Sequence, residues 1–415
     1  MSDILFQNAQ VLDTERGVLC PNTQVLVRAG RIVEVSEASL SASGARSVDL
    51  QGRVLMPGLC DAHVHVIAIT ADFARLERSS PFYVAAKASD ILRGMLLRGF
   101  TTVRDAGGCD HGLAQAVEED LLPGPRILFC GRALSQTGGH GDMRSPGENS
   151  LNFGFPCAGL GVVCDGVPEV RRAARDQLRK GAHQIKIMAS GGVASPTDRI
   201  DSTQFADEEI RAVVEEATAA HRYVMAHAYT ARAINRAVRL GVRTIEHGNL
   251  LDEESCRLMN HHGAYLVPTL ATYHALAEEG VAGGLAPDLI QKLDAVLEAG
   301  TAALKLAFDH RVPMVYGSDL LGEMHRRQLD EFNLRKGVIP APDLIRAATC
   351  TAAEALMRPG EFGVICEGAR ADLLVVEGDP LTDITVLTQP QHNLLAVVKE
   401  GRFYKNRLPS APPGG

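Results

Sequence analysis

Six residues of this 415-residue chain have the chemistry of metal ligands, and each closes an apolar run: His63, His65, Lys186, His227, His247 and Asp319. His63 and His65 stand two apart after the Pro57-Gly58 break, so on a strand both rings leave the same face. Two neutral imidazoles side by side make half of a transition-metal site. A lone His-x-His is more often a satisfied core histidine. Lys186 by itself reads as a snorkelling side chain, and Asp319 by itself as a helix cap. What favours a metal centre is the whole set at successive strand ends.

Within that set Lys186 is the oddity, because an ammonium beside a dication is repelled. A desolvated lysine sheds its proton and becomes a nucleophile. With carbon dioxide it would give a carbamate whose two oxygens can bridge two ions. His63, His65, the carbamate and Asp319 then hold one ion, while the carbamate, His227 and His247 hold the other. Two ions about 3.5–4 Å apart trap a bridging water as hydroxide at neutral pH. Asp319 is placed to take its proton and pass it to a leaving nitrogen. His140, in a glycine-rich loop after the third strand, is free to polarise the scissile carbonyl or bind a carboxylate.

These residues need a scaffold that brings strand ends together. Eight apolar strand candidates (59–65, 101–105, 126–130, 184–189, 223–227, 244–247, 264–269 and 313–318) alternate with helical segments at 81–98, 167–180, 207–221, 231–240 and 286–310. This pattern predicts a closed parallel (β/α)8 TIM-like barrel, whose carboxyl strand ends share one mouth. An open doubly wound sheet is the competing architecture, but no GxGxxG turn follows a strand. Residues 1–56 and 358–408 are strand-rich with turn chemistry between runs, which predicts one small β-sandwich domain formed by both chain ends around a 57–357 barrel. The Pro/Gly-rich tail 409–415 reads as disordered.

Composition narrows the partners. The net charge of −8 is interspersed, without the basic stripe of a nucleic-acid surface. No apolar run nears the ~18 residues of a membrane span. No signal peptide is visible, and nine irregularly spaced cysteines without CxxC pairs point to reduced thiols in a cytoplasmic protein.

The chain resembles the amidohydrolase superfamily over nearly its whole length. The resemblance rests on Met56–His65, Thr101-Thr102-Val103-Arg104-Asp105, Ile245-Glu246-His247-Gly248, Gly317-Ser318-Asp319 and Gly368-Ala369-Arg370-Ala371-Asp372-Leu373. Three further stretches resemble the branch of binuclear-zinc, prolidase-like dipeptidases and ochratoxin-amide hydrolases. They are Gln136–Asp142, Lys186-Ile187-Met188-Ala189-Ser190-Gly191-Gly192-Val193 and His227-Ala228-Tyr229. That resemblance implies two Zn2+ ions bridged by N6-carboxylysine at Lys186, and carboxypeptidase-like cleavage of the amide before a C-terminal residue. It also implies a homo-oligomer, often an octamer, acting on a small-molecule amide or dipeptide. Tyr229 resembles the residue that contacts the substrate's α-carboxylate, and Gly192, Val193 and His140 join it as expected substrate contacts. His325, with Arg326 and Arg327 in the segment 320–327, is expected in the pocket wall; a solvated helix face is the bland alternative.

Two other readings compete. A one-metal deaminase or imidazolonepropionase-like cyclic-amide hydrolase of the same superfamily typically places Glu three residues after the fifth-strand histidine. Here that position is Thr230, and Lys186 would be unexplained. A barrel without metal, serving as a scaffold, would leave the complete ligand set without purpose.

Overall fold

The computed structural model describes residues 3–145 and 159–409; residues 410–415 of the expected disordered tail lie outside the described residues. The chain opens with strands β1 (Ile4–Asp13), β2 (Val18–Arg28), β3 (Arg31–Ser36), β4 (Arg46–Asp49) and β5 (Val54–Pro57). Its middle supplies β6 (Leu59–Val64), β7 (Phe100–Asp105), β8 (Arg126–Phe129), β9 (Ala133–Ser135) and β10 (Gly161–Val163). They are followed by β11 (Gln184–Met188), β12 (Tyr223–Thr230), β13 (Thr244–Leu250) and β14 (Tyr265–Val267). The last strands are β15 (Leu373–Val376), β16 (Leu394–Lys399) and β17 (Arg402–Asn406).

The two chain ends build one eight-stranded sheet, in the order β17-β16-β15-β5-β1-β2-β3 with β4 beside β1. Its seam is the antiparallel pairing of β15 with β5, Leu374 opposite Met56. Phe6, Val25, Leu55, Leu373 and Val375 fill its core, so burial of alternate apolar positions holds the ends together.

In the middle the strands run parallel, in two sheets ordered β6-β7-β8 and β10-β9-β11-β12-β13-β14. Every residue of β6, β7 and β11 is buried, as parallel strands covered on both faces must be. Backbone hydrogen bonds connect the two sheets. The His183 N–H donates to Phe129 O (2.8 Å), linking the start of β11 to β8. On the other side Leu266 N–H donates to Pro313 O (3.0 Å), Ala62 N–H to Tyr316 O (2.8 Å), and Asp319 N–H to His63 O (2.8 Å).

Helices Pro81–Leu97, Gly166–Arg179, Asp207–Ala219 and Ala231–Arg239 follow the expected segments. The last shows why: Ala233, Ile234, Ala237 and Val238 form one apolar face, and the Thr230 hydroxyl accepts from Ala233 N–H at its start. Two expectations change. The 313–318 stretch forms only a bridge between Met314 and Leu266, because Tyr316 N–H donates to Ala347 O and Ser318 donates through N–H and Oγ to Asp61 rather than to a regular ladder. The 286–310 helix divides into a 3-10 turn (Pro287–Lys292) and an α-helix (Leu293–Asp309). Before Asp207–Ala219, Ala206 is the cap position, and Glu209 accepts its N–H (2.6 Å).

Candidate metal centre

Tight side-chain bonds fix where the ligand residues point. The buried Asp61 carboxylate accepts from His63 N–H (3.1 Å), Ser318 N–H (3.1 Å), Ser318 Oγ (2.6 Å) and Gln328 Nε2 (2.9 Å). It thereby clamps the strand bearing His63 to the segment bearing Asp319. Burial pushes its pKa up to about 6 against those bonds. Asp105 works in the same way at the end of β7, accepting from Val66, Gly107 and Cys109 N–H (2.9, 3.0 and 3.1 Å). Asp319 and His247 both hold left-handed backbone (φ 54° and 74°), which costs non-glycine residues on the order of 1–2 kcal/mol.

Each of the four imidazoles has one ring nitrogen engaged by an oxygen. His63 Nδ1 faces Glu246 Oε2 (2.7 Å), His65 Nδ1 faces Gly107 O (2.9 Å), His227 Nε2 faces Gly191 O (3.0 Å) and His247 Nδ1 faces Thr269 Oγ1 (2.7 Å). One nitrogen tied to an oxygen with the other left for an ion is the pattern of a metal-ligating histidine; in His65 the second nitrogen meets the Asp319 carboxylate. Glu246 is itself gripped by Arg104 Nη2, 2.9 Å from both carboxylate oxygens, with both side chains fully buried. His63 Nε2 and His65 Nε2 lie 3.5 and 3.3 Å from Asp319 Oδ1, and the ligand atoms of these three residues fall within 4.8 Å of one another.

His227 and His247 stack edge to face at 4.6 Å between ring centroids, and His63 is 5.0 Å from His247. Lys186 reaches the same cavity. It is 2% exposed, and among the described residues its ammonium has no hydrogen-bond or ion-pair partner. Burial lowers its pKa, with Glu246 and Asp319 opposing. Burial and then the Lys186 charge hold His63 well below the ordinary imidazole range. Burial also works against a charged His65, but the hydrogen bond and charge of Asp319 outweigh it and raise that pKa. For Asp319 burial is outweighed by His63, His65 and Lys186, so its carboxyl is held below the usual range.

Around these groups lies a cleft lined by all six ligand candidates, by His140, Tyr229 and Val193, and by apolar side chains such as Phe73, Leu160 and Met188. The Tyr229 hydroxyl accepts from Tyr273 OH (3.1 Å). Gly192 does not line the cleft; it lies beneath the His140 ring, where a Cβ would overlap the imidazole.

His325 is placed differently from the sequence expectation. It is buried (4% exposed), faces Ala68 O through Nε2 (3.2 Å) and does not line the cleft. Arg326 and Arg327 pair with Glu279 and Glu278, so the basic run is neutralised at the surface. Sequence reasoning also assigned no role to Asp61, Arg104, Asp105, Glu246 or Thr269. The signal available was charge inside otherwise apolar strands, which calls for a buried partner.

Comparison with known proteins identifies the family. The amidohydrolase family profile matches residues 54–403. Ochratoxinase of Aspergillus niger is 33% identical over 396 residues, covering 92% of this chain and 82% of that protein. A prolidase solved in complex with N-methylphosphonate-L-proline superposes with a TM-score of 0.95 at 48% identity, over 98% of this chain and 100% of the other. A Xaa-Pro dipeptidase with methionine in its active site superposes with a TM-score of 0.87 at 28% identity, over the same shares. The chain belongs to the amidohydrolase family, among the hydrolases of amide and peptide bonds.

Proposed function

We propose that this protein is a binuclear-zinc hydrolase that cleaves the amide before a C-terminal amino acid, in Xaa-Pro-type dipeptides, N-acyl amino acids or ochratoxin-like amides. The observation that carries the reading is Lys186, a buried amine without a hydrogen-bond or ion-pair partner among the described residues, set in one cleft with four imidazoles that each have one ring nitrogen tied to an oxygen. The donor set fits two ions once the amine is a carbamate. His63, His65 and Asp319 would serve one, His227 and His247 the other, with N6-carboxylysine at Lys186 shared. Bound zinc supplies Lewis acidity toward the carbonyl and lowers the pKa of a water.

This chain's own groups do the rest. Asp319, charged at neutral pH, takes a proton from the attacking water and passes it to the leaving nitrogen. His140, Tyr229 and Val193 line the cleft as substrate contacts, and Gly192 admits the His140 ring. The apolar walls favour an apolar side chain beside the scissile bond. The reading includes a closed (β/α)8 barrel over 57–357, supported by the hydrogen bonds that bridge the parallel sheets, and a β-sandwich from 1–56 and 358–408. It also includes a homo-oligomer, as the octameric branch implies, in a cytoplasmic setting; among the described residues no helix is long and apolar enough to cross a membrane.

A one-ion deaminase or cyclic-amide hydrolase is the second reading, favoured by one observation: among the described residues only His63, His65 and Asp319 bring ligand atoms within 4.8 Å of one another. It leaves Lys186 buried without a purpose. Metal analysis of zinc-grown protein, with a screen of dipeptides and N-acyl amino acids for released amino acid, separates them. Close to two ions per chain and release of a C-terminal residue are expected; one ion and no released amino acid overturn the proposal.

A further inference from the structure

Behind His140 lies a hydrogen-bonded chain that bonds to none of the six candidate ligands. His140 Nδ1 is 2.8 Å from Ser195 Oγ, and the Ser195 hydroxyl in turn bonds to Asp198 Oδ1. Ser195 is fully buried and Asp198 is 8% exposed. Donors surround the Asp198 carboxylate: Gly192 N–H (3.2 Å) and Gln204 Nε2 (2.9 Å) reach Oδ2, and the Lys292 ammonium is 3.5 Å from Oδ1. Lys292 also donates to the carbonyls of Gly192, Ser195 and Asp198 (3.2, 2.8 and 2.7 Å), pinning the loop. The Gln204 amide oxygen accepts from His140 N–H (2.9 Å), so both ends of the arrangement are held.

This geometry has a direction. A carboxylate only accepts, so the Ser195 hydroxyl must spend its proton on Asp198. The other oxygen within reach of that hydroxyl, Gly192 O at 3.3 Å, is likewise only an acceptor. Ser195 therefore meets His140 with a lone pair, and the imidazole must donate from Nδ1.

We infer that Asp198, through Ser195, is a positioning residue that fixes His140 as its Nδ1–H tautomer and leaves an unprotonated Nε2 for the substrate. The neutral ring then accepts from an N–H or ammonium group of the substrate rather than donating to its carbonyl, which refines the carbonyl-polarising expectation. The role toward substrate rests on the proposed amide hydrolysis; the tautomer does not.

Two readouts keep them apart. In metal-replete enzyme with 15N-labelled histidine, long-range 1H–15N spectra, with the His140 signal assigned by its loss in His140→Asn, should show Nδ1–H. Asp198→Asn can donate to Ser195, turning the hydroxyl toward the ring, so the signal should become Nε2–H. Bound metal should stay at the parent level while kcat falls about 10–100-fold. Ser195→Ala should lose about 10-fold in kcat, and Ser195→Thr, which keeps the hydroxyl, should recover to within about threefold. An Nε2–H ring in the parent overturns the inference, as does an Asp198→Asn enzyme with unchanged tautomer and kcat, or a Ser195→Thr enzyme no better than Ser195→Ala. A parent that shows the Nδ1–H ring but releases nothing from any amide would overturn the hydrolase reading and leave the tautomer assignment standing.

Discussion

The two halves of the candidate metal centre are built differently. The His63/His65 half has its own carboxylate: Asp319 lies 3.3–3.5 Å from both Nε2 atoms, and Glu246 with Arg104 stands behind His63 as a buried charged support. The His227/His247 half rests on neutral oxygens, Gly191 O and Thr269 Oγ1, and Asp319 comes no nearer than 3.9 Å to His247 Nδ1. Burial, neighbouring imidazoles and the Lys186 charge hold His227 and His247 well below the ordinary imidazole range. One half is electrostatically complete with the side chains as encoded, whereas the other lacks an anion. Conversion of Lys186 to a carbamate would supply it, so under the proposed function that residue is the one whose removal separates one ion from two.

The largest effect should come from removing the shared group. Lys186→Ala is expected to lower kcat/KM by at least about 1,000-fold and to reduce bound metal from two ions to at most one, with partial rescue by a short carboxylic acid. Parent-like activity in that variant would break the carbamate reading. Next, His247→Asn should release the second ion and cost about 100-fold in kcat while the His63/His65 ion stays; loss of both ions would mean that the halves are not separable.

The supports differ in kind, and their removal sharpens the contrast. Glu246→Gln leaves Arg104 buried without its counter-charge, so about 3–5 kcal/mol of stability should disappear in urea unfolding. Its metal affinity should weaken about 10–100-fold. Thr269→Val removes only a neutral partner, and about 1 kcal/mol with at most about a 10-fold loss of affinity is expected in the same measurements. A Thr269 effect equal to that of Glu246 would erase the distinction.

The smallest test concerns His325, packed against the carbonyl of Ala68 just beyond the first half. Burial pushes its pKa down to about 3. The unfolded ring takes a proton below about pH 6.5 while the folded ring resists until about 3, so its contribution is complete above 6.5 and falls as the pH drops through that window. Relative to His325→Gln, the parent should lose about 1.4 kcal/mol per pH unit below 6.5. Parallel stability curves for the two proteins would show that the buried imidazole does not titrate in this way.

Much of this was legible from residue order. These positions are readable because buried parallel strands are apolar throughout, so a histidine or lysine inside such a run stands out, as Lys186 does in Gln-Ile-Lys-Ile-Met. The joint sheet of the two chain ends was readable from alternation at both termini. His325 was misplaced because a basic run looks alike whether it faces a cavity or solvent, and only packing sends one member inward to Ala68 O and two outward to Glu278 and Glu279. The 313–318 stretch misled for a related reason: its apolar residues suit a strand, but its partners are side chains and segments distant in sequence.

The sequence by itself determined which chemistries were available, four imidazoles, an amine and a carboxylate in or at the ends of buried runs, because residue type and local period are properties of neighbouring positions. Tertiary structure alone decided which ring nitrogen of each histidine is tied to its support, which half of the centre has an anion, and that Ser195 and Asp198 stand behind His140. Those depend on hydrogen bonds such as that from Ser318 to Asp61, 257 residues away, which only the folded chain can make.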